Sequence, residues 1–95
     1  MPDEETSQDP LVLVREELFQ GGLITDVFHE WDGDWQYLTR DGYERDKTPL
    51  VHRSHVFAAD PSLRETAEMP PGVWAHRHTR EAGWHYEVLS DDDGD

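Results

Sequence analysis

The chain has no cysteine, which excludes a disulfide framework and any zinc site built on thiolates. Positive charge is scarce. Eight Lys and Arg side chains stand against 22 Asp and Glu in 95 residues, a formal net charge of −14. A protein that binds a DNA or RNA backbone needs a positive footprint to release counterions, and this chain lacks one. The same deficit argues against docking on an anionic membrane. Long apolar runs are also missing. Residues 11–14 and 56–59 are the longest, far short of a bilayer span. The N-terminal stretch is acidic and polar, the opposite of a signal peptide. A cytoplasmic protein is the expectation.

Ninety-five residues make one small domain. The acid is concentrated at both ends. Asp3, Glu4, Glu5 and Asp9 precede the body, and Asp91, Asp92, Asp93 and Asp95 follow it, with no base among them. Residues 1–10 and 90–95 therefore read as disordered acidic tails around a domain at 11–89. That body is acidic in its own right, with 14 acids against 8 bases. It also holds every aromatic residue: four Trp, three Tyr and three Phe, all between Phe19 and Tyr86. Each large aromatic can bury roughly 150–250 Å², so a core without staples is feasible. Lys47 is the only lysine beside seven arginines. Excess acid with little lysine fits a salty cytoplasm, where salt relieves self-repulsion. A halophile protein whose acidity is salt adaptation is thus one alternative reading.

Periodicity places the elements. Residues 11–14 read as a strand and 15–20 as a short helix, with Leu18 and Phe19 inward. Gly21 and Gly22 supply a stop with positive φ. Residues 23–30 read as a strand whose better core face carries Leu23 and Val27. Asp32-Gly33 then signals a hairpin, because both central residues tolerate positive φ. Residues 35–39 form the return strand. A charged loop follows over 40–47, and 50–52 is a short extended piece after Pro49. Ser54 is a candidate N-cap for a brief helix over 55–59. Asp60 caps a second segment with Pro61 at its first position. After a turn at 69–72, residues 73–79 and 84–89 form a second hairpin. Trp35, Tyr37, Trp74, Trp84 and Tyr86 lie at strand spacing and are expected in the core. The sum is α+β: an antiparallel sheet of about five strands, with two or three short helices on one face.

Candidate chemistry is thin. His76 and His78 lie two apart on one strand and His85 lies on its partner, so the three could approach a metal. A His-rich metal-binding protein is a second alternative. The simpler reading is edge histidines beside carboxylates, and no cofactor is expected. The step His52-Arg53-Ser54-His55 lacks the general-base Glu of a metalloprotease helix. No serine sits in a nucleophile elbow. No glycine pattern forms a phosphate cradle. No carboxylate stands in an apolar setting that would suit it to acid catalysis. A non-enzyme is the expectation.

Trp31 stands apart, beside the first hairpin tip between Glu30 and Asp32. It either folds back over its own sheet or serves as an exposed anchor ringed by acid. The candidate partner-binding residues are Glu30, Trp31, Asp32 and Asp34 at the hairpin, with Asp41, Glu44 and Asp46 in the next loop. The alternative is that these acids are ordinary solvating charges.

The order of segments resembles immunity protein family 33. Residues 24–30 (Ile-Thr-Asp-Val-Phe-His-Glu) take the place of the family's first long strand. Asp34-Trp35-Gln36-Tyr37 takes that of its Gly-Trp-x-Phe strand. Ala59-Asp60-Pro61-Ser62-Leu63 matches its helix start, and Pro71-Gly72-Val73-Trp74 its turn and closing hairpin. Thr25 replaces the family's strand glycine, and Val14 stands where a capping serine is expected. Arg40-Asp41-Gly42 replaces its small acidic loop. The resemblance implies a binding function, the neutralisation of a cognate toxin by direct contact. A basic toxin protein is then the expected partner, since complementary potentials steer association.

Overall fold

The computed structural model describes residues 10–89, so the two acidic end segments, from residue 9 back and from residue 90 on, lie outside the description. Six short strands form one mixed sheet: β1 (Leu11–Val14), β2 (Asp26–His29), β3 (Trp35–Leu38), β4 (Leu50–His52), β5 (Val73–His76) and β6 (His85–Val88). One α-helix, α1 (Arg53–Ala59), follows β4 directly. Three 3-10 segments complete the described elements: Glu16–Gln20, Arg45–Lys47 and Pro61–Thr66. The fold is α+β.

The sheet order is β4-β1-β3-β2-β5-β6. Both expected hairpins, β2–β3 and β5–β6, form, although their turns differ from the expected ones and β5 ends at His76, and β2 also pairs antiparallel with β5. β1 departs from the expected pattern. It pairs parallel with β3, setting Val14 beside Tyr37, and antiparallel with β4. Turn signals report pairing between neighbours in sequence. They are silent on a parallel pair, whose connection here runs through a whole intervening strand. The sheet therefore has six strands rather than about five, and it is mixed. A single α-helix replaces the expected two or three.

Alternation gives the sheet two unlike faces. Val12, Val14, Val27, Trp35, Tyr37 and Ala75 share one face, and Ile24 joins them from the segment before β2. They pack against Leu18, Val56, Leu63 and Met69 from the helical segments. This is the core. The other face carries Leu11, Leu13, Phe28, Leu38, Trp74, His76 and His85; Leu38 is buried there, and no helical element among the described residues is placed on this face. Trp74, expected in the core, lies here because Ala75 takes the inward position.

Three other expectations fail for reasons of geometry. Glu16–Gln20 is 3-10, with three residues per turn. Leu18 points inward, and Phe19, rotated about 120° from it, is 47% exposed. Tyr86 and Val88 share the core face of β6 but are 50% and 74% exposed, because β6 is the edge strand and the core stops short of it. Helix α1 starts at Arg53, with extended His52 before it and no side-chain cap, so Ser54 does not cap. Asp60 does cap the 3-10 segment that begins at Pro61, accepting the Ser62 N–H at 3.1 Å.

Two buried arginines fasten the layers. Arg77 donates from Nε to the Ile24 carbonyl (3.0 Å), from Nη1 to the Ser62 hydroxyl (2.9 Å) and from Nη2 to Asp60 (3.2 Å). Its guanidinium also lies over Trp84, 4.1 Å from the ring centre. Burial lowers the Arg77 pKa against the opposing pull of Asp60. Burial alone would raise the Asp60 pKa. The Ser62 hydroxyl and N–H, with Arg80 and Arg77, outweigh it and hold the carboxyl below its ordinary value. Arg15 closes the end of β1. It grips both oxygens of Glu17, at 3.0 and 2.7 Å, and donates to the Gly42 carbonyl at 3.1 Å. The hydrogen bonds from Arg15 lower the Glu17 pKa, and Glu17 in turn raises that of Arg15.

Candidate functional site

The first hairpin turns on Glu30-Trp31-Asp32-Gly33. The Glu30 carbonyl accepts the Gly33 N–H at 2.9 Å, and the Glu30 N–H donates to the Asp34 carbonyl at 2.8 Å. Gly33 has φ 98°, and no non-glycine residue among those described has positive φ. Only one central position is left-handed, not both, which is the pattern of a three-residue hairpin loop. Asp32 steadies the tip by accepting the Asp34 N–H at 3.1 Å.

This turn projects Trp31, 53% exposed, beyond the end of the sheet. One side of its indole lies against Gly72. A methyl group on that glycine would come within 2.5 Å of the ring carbon Cη2. Gly72 is held there by its N–H to the His29 carbonyl, at 2.6 Å. The ring is therefore braced by backbone on one side and open on the other. Asp32 and Asp34 are exposed and Glu30 is partly so. None of the three forms an ion pair among the described residues. Arg53 and Arg64 instead lay their guanidinium groups on the Phe57 ring, at 5.4 and 5.6 Å.

The strand register brings more to this end. Leu13 sits beside Gln36, so the start of β1 lies next to the Trp35 end of β3. Pro10, whose carbonyl accepts the Arg53 N–H at 2.9 Å, is there too. Leu89 donates to the Gly72 carbonyl at 2.7 Å, on the far side of the hairpin tip. Pro10 and Leu89, the first and last described residues, thus lie at the end that bears Glu30, Asp32 and Asp34.

Asp41, Glu44 and Asp46 lie elsewhere. They follow β3, at its other end, about 13 Å of strand away from the hairpin tip at ~3.3 Å per residue. Glu44 and Asp41 reach the buried Arg15 from exposed positions, at 3.2 and 3.8 Å. Thr48 ties the same loop by donating to the Glu44 carbonyl at 2.6 Å. Asp46 is exposed in the 3-10 turn. The structure does not bring the two acidic groups together.

The three histidines also separate. His76 and His85 are register partners on the uncovered face, with ring centres 5.7 Å apart. The His76 Nε2 lies 3.0 Å from a Glu87 oxygen. His78 falls past the end of β5. Among the described residues no group of three or more His, Cys, Asp or Glu could hold a metal ion.

One feature of the uncovered face is not evident from the sequence. Phe28 and Trp74 stack with their planes 1° apart and centres 5.6 Å apart. His76 follows Trp74 at 4.5 Å, and His85 follows His76, so four rings run across three strands. Asp26 anchors the ladder by accepting the Trp74 indole N–H at 2.9 Å and the Thr25 hydroxyl at 2.6 Å. The alternation of Asp26 with Phe28, and of Trp74 with His76, was visible. The register that stacks them was not.

No family is matched by the chain, and neither the curated proteins nor the solved structures give a match. No helix among the described residues is long and apolar enough to cross a membrane.

Proposed function

We propose that the protein is a non-enzymatic binding module that takes a basic protein partner at the hairpin-tip end of its sheet. The observation that carries this reading is the braced, half-exposed Trp31 among three carboxylates that no cation neutralises among the described residues. Aromatic anchors dominate interfaces when acid around them repels wrong partners and steers the right one. Bracing against Gly72 lowers the ordering cost of burying the ring. The resemblance to immunity protein family 33 makes a toxin the expected kind of basic partner, neutralised by occlusion of its positively charged site.

The test is capture by the immobilised chain from cells of its own source, at low and at high salt. The reading expects a basic protein that is retained at low salt and released as salt rises. It also expects a Trp31→Ala chain to retain much less of it. Retention unaffected by salt and by Trp31→Ala, or no retained protein, contradicts the reading.

A further inference from the structure

We propose that the free edge of β6 is a strand-addition site for an extended, basic segment of a protein partner. This site is distinct from the hairpin tip and stands whether or not the tip binds anything.

β6 ends the sheet order. The bond from the Leu89 N–H to the Gly72 carbonyl sets the parity of the pairing with β5. Backbone bonding direction alternates along an antiparallel strand. His85 and Glu87 therefore turn their N–H and C=O groups toward β5, and Tyr86 and Val88 turn theirs to the open edge. All four residues of β6 are exposed. Edge strands are ordinarily blunted by shortness, charged side chains, proline, a bulge or a covering element. β6 is four residues long and carries Glu87, but among the described residues it has no proline, lysine or bulge and ends the sheet. The opposite edge, β4, is three residues long, follows Pro49 and runs straight into α1.

The side chains of Tyr86 and Val88 point to the helical side. There Met69, Pro70, Val73 and Tyr86 line an apolar groove rimmed by Glu65 and Glu68. The Tyr86 hydroxyl donates to the Glu65 carbonyl at 3.4 Å, which fixes the ring as the groove wall. No cation lines this groove. An added strand would place alternate side chains over the groove, so it suits a segment that mixes apolar residues with lysine or arginine. A second copy of the chain fits badly. Any register joins two chains of charge −14, and the one that bonds Tyr86 of one copy to Val88 of the other also sets Glu87 against Glu87. The acidic end segments of the chain carry the wrong charge for the groove.

The test uses the blocked peptide acetyl-Lys-Val-Lys-Val-Lys-Val-amide as probe, titrated into the full isotope-labelled chain and followed by NMR. Saturable shifts at Met69, Val73, Tyr86 and Val88 are expected. A control peptide of the same sequence, with the amides of alternate residues N-methylated, is expected to bind at least tenfold more weakly. Val88→Pro removes one outward N–H at an edge position where proline is tolerated, and a tenfold loss is expected there too. Equal binding of the N-methylated peptide overturns the proposal, as does a shift pattern centred on the hairpin tip. So does absence of saturable binding at millimolar peptide. Self-association of the free chain that Val88→Pro abolishes would assign the edge to a second copy instead. If Val88→Pro does not fold, the two peptides alone decide the matter.

Discussion

Asp60 and Arg77 meet at 3.2 Å, and both side chains are buried. The pair joins the 3-10 segment at Pro61–Thr66 to the strand end after β5, from residues 17 apart in sequence. Arg80, half-exposed, adds a second contact to the same carboxylate at 2.8 Å. Removing one partner of a buried pair leaves the other charge uncompensated, which costs about 3–5 kcal/mol. For a domain this small that is most of the available stability.

Asp60→Ala is therefore expected to unfold the protein or nearly so. Asp60→Asn keeps an oxygen for the Ser62 N–H and should lose about 1 kcal/mol less, the worth of the cap. Arg80→Ala should cost no more than about 1 kcal/mol, because that pair is partly solvated. Urea denaturation of the three variants checks the order.

Acid should weaken the fold through two carboxyls. Asp60 and Glu17 both have folded pKa values below their ordinary ones. A depressed carboxyl contributes stability above its unfolded pKa, and that contribution is lost as pH falls through the folded value. Stability is thus expected to decline below roughly pH 4, the ordinary carboxylate range. A Glu17→Gln chain should show a shallower decline. Denaturation midpoints from pH 7 to pH 2 measure both slopes, and equal slopes would contradict the assignment.

The Tyr37 hydroxyl is buried without a hydrogen-bond partner among the described residues. Burial raises its pKa well above the usual phenol range, against the charge and close approach of the Arg53 guanidinium, which nears the hydroxyl without reaching good hydrogen-bond geometry. An unsatisfied buried hydroxyl costs about 1–3 kcal/mol, so Tyr37→Phe should be neutral or stabilising by up to about 1 kcal/mol. A thermal melt decides this. A loss beyond about 1 kcal/mol would show that the hydroxyl has a partner.

Gly72 couples the closing turn to the hairpin tip. Its φ is 86°, and the Trp31 ring fills the space a side chain would need. Gly72→Ala should strain the turn by more than about 1 kcal/mol and push the indole outward. The Trp31 indole N–H resonance should then move toward its solvent-exposed position. An unmoved resonance would contradict the packing.

Local signals carried much of this fold. Apolar runs of strand length, Asp32-Gly33, Gly21, Asp60-Pro61 and Gly72 marked strands and turns at or near their observed places. What they could not carry was register. The parallel β1–β3 pair, the turning of Trp74 away from the core and the ring ladder from Phe28 to His85 all depend on contacts between distant segments. Helix type was equally hidden, and it decides that Phe19 is exposed. The burial of Arg15 and Arg77 has no local sequence signal, because their acceptors Gly42 and Ile24 are distant backbone carbonyls. At the candidate site, the residues of the hairpin tip were legible and the bracing of Trp31 by Gly72 was not.

The most direct test of the proposed function is the affinity of the captured basic partner for the native chain and for one variant. That variant combines Glu30→Gln, Asp32→Asn and Asp34→Asn, three substitutions that leave the backbone bonds of the turn in place. Calorimetry at two salt concentrations measures both chains. The account predicts at least a hundredfold weaker binding by the variant and a smaller dependence on salt. Equal affinity and equal salt dependence would place the interface elsewhere and contradict the account.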